Sequence, residues 1–193
     1  MPASCRSEWE HLLEIEDVRE KRTKLEEYLD RGVGECQLRQ ARIAQLTEET
    51  MLHFHNNRYE LIAWCVMPNH VHVLAHVWQT PLGKMIQSWK RFSATNSGAL
   101  RTERRSPNRR VSADDRNAPA RRAALQWQRE YWDTFMRGEE QEKKAIRYIE
   151  NNPVKAKLCR TPEQWEFSSS RFRGRFGELE LPAKMALSEG KVS

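Results

Sequence analysis

Long apolar runs are missing from this chain. The longest, Leu61 to Met67, is far too short to cross a bilayer, and the residues from Ser7 onward are too polar and charged for the apolar centre of a signal peptide. A soluble cytoplasmic protein with no membrane partner is therefore expected. The four cysteines, Cys5, Cys36, Cys65 and Cys159, are widely spaced with no C-x-x-C pair, which argues against a zinc ribbon or a dithiol redox centre and suits free thiols in a reducing compartment. Glycine is scarce, at 8 residues in 193, and no glycine-rich phosphate loop is found, so no nucleotide or other organic cofactor is implied. Internal repeats are likewise not visible.

What remains is a chain of 193 residues, 38% apolar, long enough for one well-buried domain with appendages. Its net charge of +6 suits a polyanionic partner, although such an excess alone is weak evidence. The distribution is more telling: eight arginines and three acidic residues between Arg101 and Arg122 place most of the excess in one Pro- and Ser-containing stretch.

Two short segments carry the chemistry. In Met67-Pro68-Asn69-His70-Val71-His72-Val73-Leu74 the alternation is that of a strand, which sends His70 and His72 to one face and Val71 and Val73 to the other. Two imidazoles converging in this way make a candidate metal site, and the plain alternative is a strand with two hydrogen-bonded histidines. Far downstream, a run of helix formers from Glu139 ends in Tyr148-Ile149-Glu150-Asn151-Asn152-Pro153, with Pro153 expected to stop the helix. A spacing of four stacks Tyr148 and Asn152 on one face, so that a phenol nucleophile and an amide oxygen could reach one metal. Two imidazoles and an amide oxygen with open positions suit Mg²⁺ or Mn²⁺ better than a closed structural zinc site.

The M-P-N-H-V-H-V-L run, then Trp127-Gln128-Arg129-Glu130-Tyr131-Trp132-Asp133, then Tyr-Ile-x-x-Asn-Pro-Val-Lys-Ala from Tyr148 to Ala156 resemble, in that order, the REP-associated tyrosine transposases. These are single-tyrosine HUH enzymes, and the similarity spans roughly Gly32 to Arg171. It implies that His70, His72 and Asn152 bind a divalent metal and that Tyr148 is the nucleophile. The implied fold is α+β, a ferredoxin-like antiparallel sheet flanked by helices. The implied activity is cleavage and rejoining of single-stranded DNA at REP-type hairpins through a 5′-phosphotyrosine. Lys90, Arg91, Arg129 and Lys155 are the candidate DNA contacts, Trp127 and Trp132 candidate stacking platforms, and Lys157 stands where the family commonly has glycine. Single-stranded DNA or DNA hairpins are the implied partners of a monomer or homodimer, which would place it at the nucleoid.

Residues 1–31 read as an N-terminal helical segment, with one amphipathic helix from Ser7 to Asp30 stopped at Gly32; 32–172 as the transposase domain, with the arginine-rich loop at 101–122; and 173–193 as a tail. Within the domain, helices are expected from about Gln40 to His55, Leu82 to Ser97 and Glu139 to Asn152. Strands are expected over Tyr59 to Val66, His70 to Val77 and Leu125 to Met136, the first two forming a hairpin. Met85, Ile86, Trp89 and Phe92 are the expected core of the Leu82 helix. The family's first strand, central and beside the histidine strand, has no evident counterpart. Either Glu35 to Leu38 fills its place, or the chain starts downstream of the usual N-terminus, leaving a sheet edge exposed.

Rival chemistry is easily named. His53-Phe54-His55 repeats the His-x-His spacing but on a helix end, where residues two apart diverge. His76 shares the face of the histidine pair and is a possible DNA contact. Tyr131 is a second tyrosine, better suited to sheet packing, and Cys65 with the two histidines lacks a fourth zinc ligand. The alternative function is a catalytically inactive hairpin-binding protein derived from such a transposase. A structural zinc protein is the third.

Overall fold

In the computed structural model, residues 3–32, 36–78, 80–102, 125–128, 131 and 133–182 are described. The N-terminal segment is two helices rather than the one expected: α1 (Ala3–Glu14) and α2 (Val18–Asp30). The cause of the break is Asp17, whose carboxylate accepts a hydrogen bond from the Glu20 amide at 2.7 Å and so caps a new helix. The pair buries a small core of its own, Leu12, Leu25 and Tyr28, with the Trp9 ring 5.6 Å from that of Tyr28. Gly32, at φ +68°, supplies the left-handed residue that ends α2, at the expected place. Gln37–Arg39 then forms a 3-10 turn, so this stretch does not stand in for a strand.

After α3 (Ala41–Leu52) come β1 (Tyr59–Val66) and β2 (Val71–Val77), paired antiparallel as a hairpin. A bulge between Leu61 and Ala63 shifts the alternation by one residue. In consequence Tyr59, Leu61, Trp64 and Val66 pack with Ile43, Met51 and Met85 on one side, whereas Ala63, Cys65, Met67 and Leu74 pack with Ile149 on the other. Helices α3 and α4 (Leu82–Thr102) cover the first face and α5 (Glu139–Lys155) the second. On α4, Met85 is buried and Trp89 donates to the Tyr59 hydroxyl at 2.8 Å, which itself donates to the Met51 carbonyl. Phe92 is 54% exposed, contrary to the core role its spacing suggested.

The expected strand over Leu125 to Met136 is not formed among the described residues. Its polar groups are spent elsewhere: the Leu125 amide donates to Ser97 Oγ, the Gln126 amide to Gln37 Oε1, the Trp127 indole to Ser93 Oγ, and the Gln128 carbonyl accepts from Lys90 Nζ. Side chains of α4, with Gln37, thus take the hydrogen bonds of residues 125–128 that a ladder would have used. The arginine-rich stretch lies almost wholly outside the described residues, with only its first two positions at the end of α4.

Helix α5 does not stop at Pro153, which sits inside its last turn. There the ring removes only one amide donor, and the helix closes two residues later. The Leu158 amide bonds to the Pro153 carbonyl at 2.8 Å and that of Lys157 to Val154 at 2.9 Å, with Lys157 at φ +58°. This paired closure needs a left-handed residue, which accounts for a glycine preference at that position. Within the C-terminal tail from 173, Arg173 forms a β-bridge with Leu179, and Leu179 and Leu181 contact the core. No described helix is long and apolar enough to cross a membrane.

Candidate active site

His70 lies one residue ahead of β2 and His72 within it, and their Nε2 atoms are 2.8 Å apart. The strand alternation does what its spacing predicts, bringing both rings to one point. The tyrosine helix crosses the same face, placing the Tyr148 ring edge-on to His72 with centroids 5.6 Å apart. These three residues line a cleft of about 750 Å³ that also borders Lys90, Trp127 and Tyr131. Asn152, one turn beyond Tyr148 on α5, is 1% exposed. Its Nδ2 makes a long contact of 3.4 Å to the Tyr148 carbonyl, and its buried Oδ1 has no hydrogen-bond partner among the described residues. A buried amide oxygen left in this state is unusual and calls for a function or an unseen ligand.

Protonation at the histidine pair follows from its neighbours. The Asn69 Nδ2 donates to the Leu29 carbonyl at 2.8 Å, and because a carbonyl only accepts, the amide orientation of Asn69 is fixed. Its Oδ1 then faces His70 Nδ1, also at 2.8 Å, and must accept a proton from it. His70 thus carries its hydrogen on Nδ1 and a lone pair on Nε2, toward which His72 Nε2 donates when no cation is bound. Burial, reinforced by His72, holds the His70 pKa well below the usual imidazole range, so the ring is neutral. Neutral imidazole with a hydrogen-bonded rear nitrogen is the form that ligates metals.

Two imidazole nitrogens meet in the cleft, while Asn152, not among the residues that line it, holds an amide oxygen of unused acceptor capacity one turn beyond Tyr148; donors of these types suit a divalent cation with open positions. Among the described residues no three or more His, Cys, Asp or Glu side chains gather as a metal cluster. Cys65 does not complete one; it is buried with Sγ 3.6 Å from Met67 Sδ, and burial pushes its thiol pKa up, against the thiolate a metal needs.

Of the candidate DNA contacts, Lys155 is exposed with its ammonium 5.7 Å from the Tyr148 ring centroid, and Arg91 is exposed on α4. Lys90 is tied down, since its Nζ donates to the Gln128 carbonyl at 2.7 Å. Arg129 and Trp132 lie outside the described residues. The rivals fall into other roles. His55 Nδ1 accepts from the Leu61 amide at 3.0 Å, and His76 is exposed against Trp78. Tyr131, expected in a strand and packed, belongs to no strand and is 46% exposed.

The sequence pattern assigns no part in the site to Asn69 or to the N-terminal segment. It also passed over Glu150, which accepts from Ser169 Oγ at 2.6 Å and Arg173 Nε at 2.8 Å, and Glu48, which accepts from the Trp64 indole and Arg171. An acidic residue inside an otherwise apolar helix stripe was the available signal for both. Comparison of the chain with protein-family models, with curated proteins and with solved structures finds no match.

Proposed function

We propose that this chain is a metal-dependent single-strand DNA endonuclease and strand transferase of the REP-associated tyrosine transposase type, with a HUH-like sheet. The observation that supports it most is the meeting of His70, His72 and Tyr148 in one cleft, from segments more than seventy positions apart. His70 Nε2, His72 Nε2 and Asn152 Oδ1 would hold Mg²⁺ or Mn²⁺. When bound, the cation polarises the scissile phosphate and offsets charge developing on its oxygens.

The remaining steps belong to the chain. The Tyr148 hydroxyl loses its proton to water and its oxygen attacks phosphorus; the P–O bond to the upstream 3′ oxygen breaks, and that oxygen takes up a proton as a 3′-hydroxyl. A free phenol titrates near ~10, and the Lys155 ammonium lies 5.7 Å from the centroid of the Tyr148 ring. Because the phosphodiester is exchanged for a phosphotyrosine, a second 3′-hydroxyl can reverse the step on another strand without ATP. Trp127 and Tyr131, bordering the cleft, offer faces for unpaired bases.

A second reading is a hairpin-binding protein without cleavage. It draws on the second edge of β2, which pairs with no strand among the described residues. The two separate on a denaturing gel. Purified protein with labelled single-stranded REP-hairpin DNA and Mn²⁺ gives a covalent protein–DNA adduct that Tyr148→Phe abolishes if the first reading holds. Hairpin binding of equal affinity in both proteins, with no adduct in either, favours the second.

A further inference from the structure

We propose that Asn69 is a positioning residue: anchored by the last turn of α2, it locks His70 in the Nδ1–H tautomer and keeps the His70 Nε2 lone pair aimed into the site. The role deepens the metal-ligand reading of the histidine pair and rests on it for its purpose, though not for its observable. Three hydrogen bonds of 2.8 Å form one chain, from the Leu29 carbonyl through the Asn69 amide and His70 Nδ1 to the facing Nε2 atoms of His70 and His72. Only one polarity satisfies it. Were His70 protonated on Nε2 instead, its bare Nδ1 would face the Asn69 oxygen, acceptor against acceptor in a buried place. Rotating the amide to escape that clash would set its oxygen against the Leu29 carbonyl. The anchor is itself well held, since Leu29 O also accepts from the Gly32 amide at 3.0 Å in the turn that closes α2.

The consequence is that the N-terminal helix pair does more than pack. It reaches the histidines through one side chain, so the orientation of a candidate ligand depends on where α2 ends. An unconstrained histidine side chain prefers its hydrogen on Nε2, the nitrogen a metal would need here, and Asn69 reverses that preference. Outer partners of this kind commonly change metal affinity by about 10- to 100-fold when removed.

The test is a long-range ¹H–¹⁵N correlation spectrum of the imidazole rings in the full-length, metal-free protein, with His70 assigned from the His70→Gln spectrum. The wild type is expected to show a protonated Nδ1 and an unprotonated Nε2 at His70. Asn69→Ala is expected to move the hydrogen to Nε2, and Asn69→Asp, which still accepts from Nδ1 although its second oxygen replaces the donor to the Leu29 carbonyl, to keep the Nδ1–H form in a less stable fold. A wild-type His70 protonated on Nε2, or an unchanged tautomer in folded Asn69→Ala, would overturn the proposal. If Asn69→Ala does not fold, the wild-type and Asn69→Asp spectra decide it. Mn²⁺ affinity, read from the electron paramagnetic resonance of the free ion, is expected to weaken about 10-fold or more in Asn69→Ala and to hold in Asn69→Asp. A wild type that shows the tautomer but binds no Mn²⁺ would sink the metal reading while leaving the assignment of Asn69 standing.

Discussion

Along its outer edge β1 is bonded by the chain that follows α5, while β2, on the opposite side of the hairpin, faces the cleft. At β1 the Val66 amide donates to the Phe167 carbonyl, the Trp64 amide to Ser169 Oγ, and Arg173 to the Ile62 carbonyl. Behind these bonds two carboxylates hold the segment in place, Glu48 on Arg171 and Glu150 on Arg173. At β2 the polar groups His70, His72 and Tyr148 gather around space, and one turn along α5 the buried Asn152 Oδ1 is unsatisfied. Charge that is paired and buried builds one flank. Unused polar capacity occurs on both flanks, at Arg171 Nε and at Asn152 Oδ1, but only on the second does it lie beside a cleft-lining histidine pair and tyrosine, where function is to be sought.

Helix α5 carries both characters within three residues, which makes the contrast easy to break. Glu150→Ala leaves the Arg173 charge without its carboxylate in a mostly buried network and removes the shorter bond of Ser169 Oγ, and is expected to cost about 3 kcal/mol or more of unfolding free energy in urea. Asn152→Ala, two residues away and more buried, removes an oxygen that bonds nothing described together with one long 3.4 Å amide contact, and is expected to cost about 1 kcal/mol. Equal losses at the two positions would erase the distinction.

Smaller effects sharpen the same picture. Lys157→Gly relieves a left-handed backbone at φ +58° in the turn that closes α5, and should raise stability by about 1 kcal/mol, with Tyr148 untouched. The smallest concerns pH. Burial lowers the His55 pKa below its ordinary value of 6.5, and its Nδ1 must be bare to accept from the Leu61 amide. The unfolded chain therefore takes up this proton at a higher pH than the folded one. The His55 contribution is present above the unfolded value and is lost as pH falls through the depressed folded value. The difference in urea midpoint between wild type and His55→Asn should accordingly shrink on going from pH 7 to about pH 5.

How much of this was legible beforehand depends on where the determining contacts lie. The hairpin and its two histidines were readable because strand alternation is local, and Tyr148 and Asn152 because helical spacing is. The break at Asp17 was missed because apolar spacing on either side allows one continuous helix, and a single capping carboxylate decides otherwise. The segment from Leu125 has strand composition but no ladder, since Ser93, Ser97, Lys90 and Gln37 take its hydrogen bonds. No pattern within the segment could reveal those partners. The same holds for Asn69, whose role is set by a carbonyl forty residues earlier in the chain.

The measurement that bears most directly on the cleft is the location of the covalent link. After reaction with single-stranded REP-hairpin DNA and Mn²⁺, nuclease and trypsin digestion should leave a nucleotide on the peptide running from Tyr148 to Lys155, identified by tandem mass spectrometry. A nucleotide on Tyr131, or on no tyrosine while the hairpin is cut, would contradict the assignment of Tyr148 and with it the proposed catalytic centre.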